Sequence, residues 1–202
     1  MGSPLYTRTG FHARAHVGLS YLHIFNSSAT NLGNQPDFNV EKASVSAVPL
    51  DLELWLGGAL RRDLALSFVL RAGQAGGGTL HTDLQRVRLE GGVTTAFLGA
   101  GLVYYPSPAR GWLLGVAAGF ERWQASFVRG AAPEVGGSGV AVSLYGGHDW
   151  WLTPSTAFGL LARINLGFAT GDGQAEVGQL QLENSDIDLY AQGGLAASLS
   201  YF

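Results

Sequence analysis

Apolar and polar residues alternate one for one in stretch after stretch of this chain. In the first stretch Phe11, Ala13, Ala15, Val17, Leu19 and Tyr21 carry one face, and His12, Arg14, His16, Gly18 and Ser20 carry the other. Period two over about eleven residues predicts a β-strand with two unlike faces. That is also about the length a tilted strand needs to cross a bilayer. Eight such stretches cover residues 9–25, 45–57, 64–73, 85–105, 112–127, 139–151, 157–169 and 186–202. In the fourth, Val87, Leu89, Val93, Thr95 and Phe97 are read as the apolar face, against Arg88, Glu90 and Thr94.

The connections alternate in length. Residues 58–63, 106–111 and 153–155 are short and punctuated by Gly, Pro or Asp. Residues 26–44, 74–84, 128–138 and 170–185 are longer, small or polar, and are expected as loops. Short turns on one rim and long loops on the other is the pattern of outer-membrane barrels. An even strand count puts both termini on the short-turn rim. The expectation is one domain over residues 1–202, an all-β, eight-stranded, antiparallel up-and-down transmembrane barrel.

Composition decides which face points outward. Charged residues make up only 13% of the chain and hydrophobic ones 47%, against about 25% charged in ordinary soluble domains. No apolar run approaches the roughly 18 residues of a membrane helix. A closed barrel is the other structure that satisfies every backbone group in lipid. A soluble up-and-down barrel would turn its apolar face inward. The apolar faces here carry more bulky side chains than an eight-stranded lumen can hold. The opposite faces are rich in Gly, Ala and Ser, with charges interspersed, which suits a narrow interior. The start Met1-Gly2-Ser3-Pro4 has no basic region followed by an apolar core, as expected of a processed, exported chain.

Aromatic residues gather near both ends of the stretches. Trp55, Tyr104, Tyr105, Trp112, Trp150, Trp151 and Tyr201 lie near the short turns, and Trp123 near a long loop. These eight are the expected interfacial girdles, where a ring meets lipid and a polar tip meets water. The last strand reads Gly193-Gly194-Leu195-Ala196-Ala197-Ser198-Leu199-Ser200-Tyr201-Phe202. With this strand, the strand count and the loop asymmetry, the chain resembles the small outer-membrane barrel superfamily of the OmpX and OmpA-membrane-domain type. The resemblance implies a role for a terminal Phe in recognition by the assembly machinery. Phe202 departs from the usual pattern, being out of phase with Leu195, Ala197, Leu199 and Tyr201.

The inward faces carry the candidate polar residues: His12, Arg14, His16, Asp51, Glu53, Arg71, Arg88, Glu90, Glu121, Arg163 and Asp188. Buried charges must be paired, so both signs are expected together. Arg14 is expected to pair with Asp51 or Glu53. The expected role is a salt-bridged plug, with a gated ion path as the functional alternative. His12 and His16 beside carboxylates are only a weak metal signal, and no metal or cofactor is assigned.

A net charge of −3 and the lack of a basic stripe exclude a nucleic-acid partner. Absence of cysteine excludes disulfides and thiolate sites. A lipid-modifying enzyme would need a nucleophile, a base and an acid within reach of one another. His23 stands near Ser27 and Ser28, with His81 and His148 elsewhere on the rims, and no catalytic set is evident. The acidic segment with Asp172, Glu176, Glu183 and Asp186 lacks calcium-loop spacing. The sequence therefore predicts a structural or interaction barrel of a bacterial outer membrane with both termini periplasmic. Its expected partners are outer-membrane lipid, lipopolysaccharide and envelope proteins met through the long loops. A lipid-modifying enzyme and a narrow channel are the alternatives.

Overall fold

The structure, a computed structural model, describes residues 10–26, 30–31, 39–40, 43–82, 86–107, 110–126, 135–177, 180–183 and 187–202. Its strands are β1 (Phe11–Asn26), β2 (Thr30–Asn31), β3 (Asn39–Val40), β4 (Ala43–Ala47), β5 (Leu50–Arg61), β6 (Leu64–Ala75) and β7 (Gly78–Thr82). Then follow β8 (Arg86–Leu89), β9 (Gly92–Ser107), β10 (Trp112–Ser126), β11 (Val135–Trp151), β12 (Thr156–Val177), β13 (Leu180–Glu183) and β14 (Ile187–Tyr201).

Eight of these strands, β1, β5, β6, β9, β10, β11, β12 and β14, form the wall. Each pairs antiparallel with the next. The ring closes where β14 pairs with β1, from Ala13 opposite Tyr201 to Phe25 opposite Leu189. Closure leaves no unpaired edge, as a barrel in hydrocarbon requires. Alternation sets the faces. Leu50, Leu52, Leu54 and Leu56 are exposed on the outside of β5, while Asp51, Glu53 and Trp55 are buried within. Phe158, Leu160, Ile164, Leu166 and Phe168 repeat this on β12, with Leu161, Arg163 and Asn165 inside.

The rim opposite the short turns is taller than the sequence suggests. β4 continues the line of β5 beyond Val48-Pro49, and β1 pairs with both in one register. Pro49 has no N–H to give, but its carbonyl accepts from the Ser20 amide at 3.1 Å. β7 continues β6 beyond Gly76-Gly77 and pairs with β4 and β8. β12 runs on to Val177 and pairs with β13. Residues 74–84 and 170–185 were expected as irregular loops; their described parts are largely hairpin. Residues 128–134, and most of residues 26–44, lie outside the described residues.

Above the outward apolar band the interior becomes apolar. Leu22, Ile24, Val45, Leu80, Leu89 and Val93 are all buried there. This reverses the expected faces of the fourth stretch. Val93, Thr95 and Phe97 point inward, and Thr94, Ala96 and Leu98 point outward. Residues directly opposite in a ladder share a face. Phe97 stands opposite Arg71, so an inward Arg71 carries Phe97 inward with it.

Candidate functional site: a filled polar lumen

The buried polar residues form a connected column. Near the floor, Arg14 on β1 is salt-bridged to Asp149 on β11 and donates to the Tyr105 hydroxyl at 3.2 Å. Nδ1 of His12 lies 3.2 Å from Oγ of Ser67. The mouth below is closed by Phe202. Its amide donates to the Ser155 carbonyl at 2.9 Å. Its ring stacks on His12 at 4.9 Å between centroids and meets Trp151 at 5.4 Å. Phe202 follows the inward parity of Ser198 and Ser200, so its ring turns into the floor while Tyr201 faces outward.

The middle of the column centres on Glu53. One carboxylate oxygen accepts from Trp55 Nε1 at 2.5 Å and bonds His16 Nδ1 at 2.9 Å. The other accepts from Arg163 at 3.0 Å and from the Tyr145 hydroxyl at 3.1 Å. Arg71 approaches the same oxygen to 3.7 Å. The second arm of Arg163 donates to Asp51 at 2.6 Å, and Ser20 and Gln192 also donate to Asp51. Glu121 accepts from Arg71 at 2.8 Å, Asn165 at 2.7 Å and Tyr190 at 2.9 Å. The Arg71 guanidinium also lies 4.8 Å from the centre of the Phe97 ring. Charge-assisted bonds of this kind are the strong ones, and they offset the large cost of taking both ions from water.

Small residues make room for the large ones. A Cβ at Gly167 would stand 2.2 Å from the Tyr190 hydroxyl, and one at Gly101 would stand 2.5 Å from the Trp55 ring. Beside His16, Asp51, Glu53, Tyr145 and Arg163 lies a cavity of about 10 Å³, enough for roughly one water molecule. Among the described residues no group of three or more His, Cys, Asp or Glu is arranged to hold a metal.

Nine of the eleven candidate polar residues are buried inside: His12, Arg14, His16, Asp51, Glu53, Arg71, Glu121, Arg163 and Asp188. Arg88 and Glu90 are exposed instead, because β8 stands above the band with Leu89 turned inward. The expected pairing of Arg14 is also corrected. Arg14 stands opposite Trp55, and Glu53 and Asp51 stand opposite His16 and Gly18, two and four residues higher. Those carboxylates belong to Arg163. Asp149 is the member that sequence reading passed over, although it shares parity with Tyr145 on β11. Of the expected interfacial aromatics, Tyr104, Trp112, Trp150 and Tyr201 face outward, at 44, 59, 47 and 54% exposure. Trp55, Tyr105 and Trp123 are buried in the lumen, and Trp151 packs on Phe202 in the floor. Adjacent residues on a strand face opposite ways, so of Tyr104-Tyr105 and Trp150-Trp151 only one each can reach lipid.

No family model matches the chain, and no curated protein matches it. Solved structures match over nearly the whole length. The crystal structure of Neisserial surface protein A (NspA) is 13% identical, with a TM-score of 0.53, covering 96% of this chain and 97% of that one. The outer membrane protein OprG from Pseudomonas aeruginosa is 11% identical, with a TM-score of 0.53 and 98% of each chain covered. The outer membrane protein AlkL, solved in lipid bilayers, is 16% identical with a TM-score of 0.52. The fold is that of the small eight-stranded outer-membrane barrels.

Proposed function

We propose that this protein is an integral barrel of a bacterial outer membrane that works as a structural or interaction protein through its upper rim. The short turns and both termini face the periplasm, and the rim carrying β4, β7, β8 and β13 faces out. Its partners are lipopolysaccharide and envelope proteins. One observation carries this reading. Among the described residues the lumen holds a column of paired polar side chains with apolar ones above it, while the additional strands are all spent on one rim. A filled lumen leaves no water path for a channel, and a rigid wall presenting strands beyond the bilayer is a surface for recognition. The outward apolar band and the outward Tyr104, Trp112, Trp150 and Tyr201 support residence in lipid.

Replacing residues 76–91 with a tight turn tests the proposal. The shortened barrel should still close, because the eight wall strands pair without β7 and β8, although loss of the buried Leu80 and Leu89 lowers its stability. It should lose the partners that the intact protein captures from native outer membranes. A single cysteine in place of Arg88, exposed on β8, in a chain that otherwise has none, should react with an impermeant maleimide on intact cells. Full partner capture by the trimmed barrel, or labelling only after cell lysis, would refute the reading.

A further inference from the structure

Outside the lumen, one pair of side chains has the geometry of a nucleophile and its base. His23 on β1 and Ser46 on β4 stand directly opposite in the ladder. Nδ1 of His23 lies 2.8 Å from Oγ of Ser46, within the reach that proton abstraction requires. The pair lies on the outer face, between the exposed Tyr21, Phe25 and Val48. Ser46 itself is only 8% exposed, because the neighbouring rings cover it.

The hydrogen bonds have a direction. The Tyr21 hydroxyl donates to Oγ of Ser46 at 3.1 Å. A second lone pair remains on Oγ, and the serine proton points at Nδ1 in the tautomer that carries the imidazole proton on Nε2. The imidazole is held on both sides. Phe25 meets it edge-on at 4.1 Å, and Tyr21 lies nearly parallel at 6.4 Å. A hydroxyl hydrogen-bonded to an oriented imidazole is the core of an acyl-transfer site.

Height on the barrel points to the substrate. Tyr21 is about ten residues up β1 from Phe11, or roughly 25 Å at the usual strand tilt, which is the height of the apolar band. The pair therefore sits where the band ends, at the depth of lipid ester groups. Below it run the exposed side chains of Val48, Leu50 and Leu19, on which an acyl chain would lie. In the sequence His23 stands near Ser27 and Ser28; the serine it meets is across the ladder.

We propose that Ser46 and His23 cleave ester-linked acyl chains from lipids of the leaflet at this rim. The proposal rests on the membrane placement given above. Oγ of Ser46 attacks the ester carbonyl carbon, and its proton passes to Nδ1 of His23. The bond between the carbonyl carbon and the alcohol oxygen breaks, and the leaving alcohol takes that proton. Water then attacks the acyl-serine, giving its proton to His23, and Ser46 recovers a proton as the fatty acid leaves. Tyr21 is a positioning residue that orients the serine proton.

The test uses the full chain reconstituted in lipid, with folding read separately by heat-modifiable gel migration. A fluorescent alkyl fluorophosphonate should label the wild type and Ser44→Ala but not Ser46→Ala. His23→Ala should slow labelling by about 10²–10⁴-fold, the usual worth of a general base. Tyr21→Phe should slow it less. Vesicles of phosphatidylethanolamine with phosphatidylglycerol, and separately lipopolysaccharide, are then assayed for released fatty acid. Release from either one, lost in Ser46→Ala, supports the proposal and identifies the source. A folded wild type that is not labelled, labelling that persists in Ser46→Ala, or labelling without acyl release from either lipid would overturn it. A chain that does not insert fails the membrane reading instead.

Discussion

Arg14 and Asp149 form a buried salt bridge near the floor, with the Arg14 side chain also donating to Tyr105. Arg14→Ala would take the guanidinium away from a fully buried carboxylate. Breaking a buried pair from one side typically costs about 3–5 kcal/mol. The expected outcome is a loss of that order in urea unfolding of the lipid-embedded barrel. Arg14→Ala combined with Asp149→Ala should lose less than Arg14→Ala alone, since no charge is then stranded. Equal losses would mean that the two residues do not act as a pair. Which residues are buried charges was legible from strand parity, but which carboxylate belongs to which arginine was not. The ladder register placed Trp55, rather than Glu53, opposite Arg14, and register depends on turn geometry that single residues do not reveal.

The strands teach a second lesson about reading faces. In lipid an apolar face points outward; in water it points inward. The fourth stretch crosses that boundary. Val87, Leu89 and Val93 look like the lipid face of a strand, yet Leu89 is fully buried inside the extension and Arg88 is exposed. The consequence is measurable. Leu89→Ala should cost about 2–5 kcal/mol as a core truncation. Arg88→Ala and Glu90→Ala should each stay within about 0.5 kcal/mol, as surface changes do. A large loss for Arg88→Ala with a small one for Leu89→Ala would restore the faces read from sequence. The seven other stretches kept their expected apolar faces through the membrane band. They did so because the bulky set there was too large for the lumen, a volume argument that needs no structure. The hairpins above the band were not legible, because small and polar segments such as 74–84 do not alternate strongly enough to distinguish strand from loop.

For the whole molecule, closure and filling go together. Eight strands enclose only enough space for side chains, and here a plug of three arginines with their carboxylates fills it. Planar-bilayer recordings should therefore show no steady, porin-sized current. Arg14→Ala or Glu53→Ala should at most raise brief, small openings. A stable large conductance in the wild type would mean that the column is not continuous. The outward apolar band faces lipid around a filled interior. Nitroxide labels on single cysteines along β12 measure this most directly, through their collision rates with oxygen and with a water-soluble nickel chelate. Labels at Leu160, Ile164 and Leu166 should be reached by oxygen and not by nickel, while labels at Leu161 and Ala169 should be shielded from both. Nickel access at Leu160, Ile164 and Leu166, or at Leu161, would contradict it.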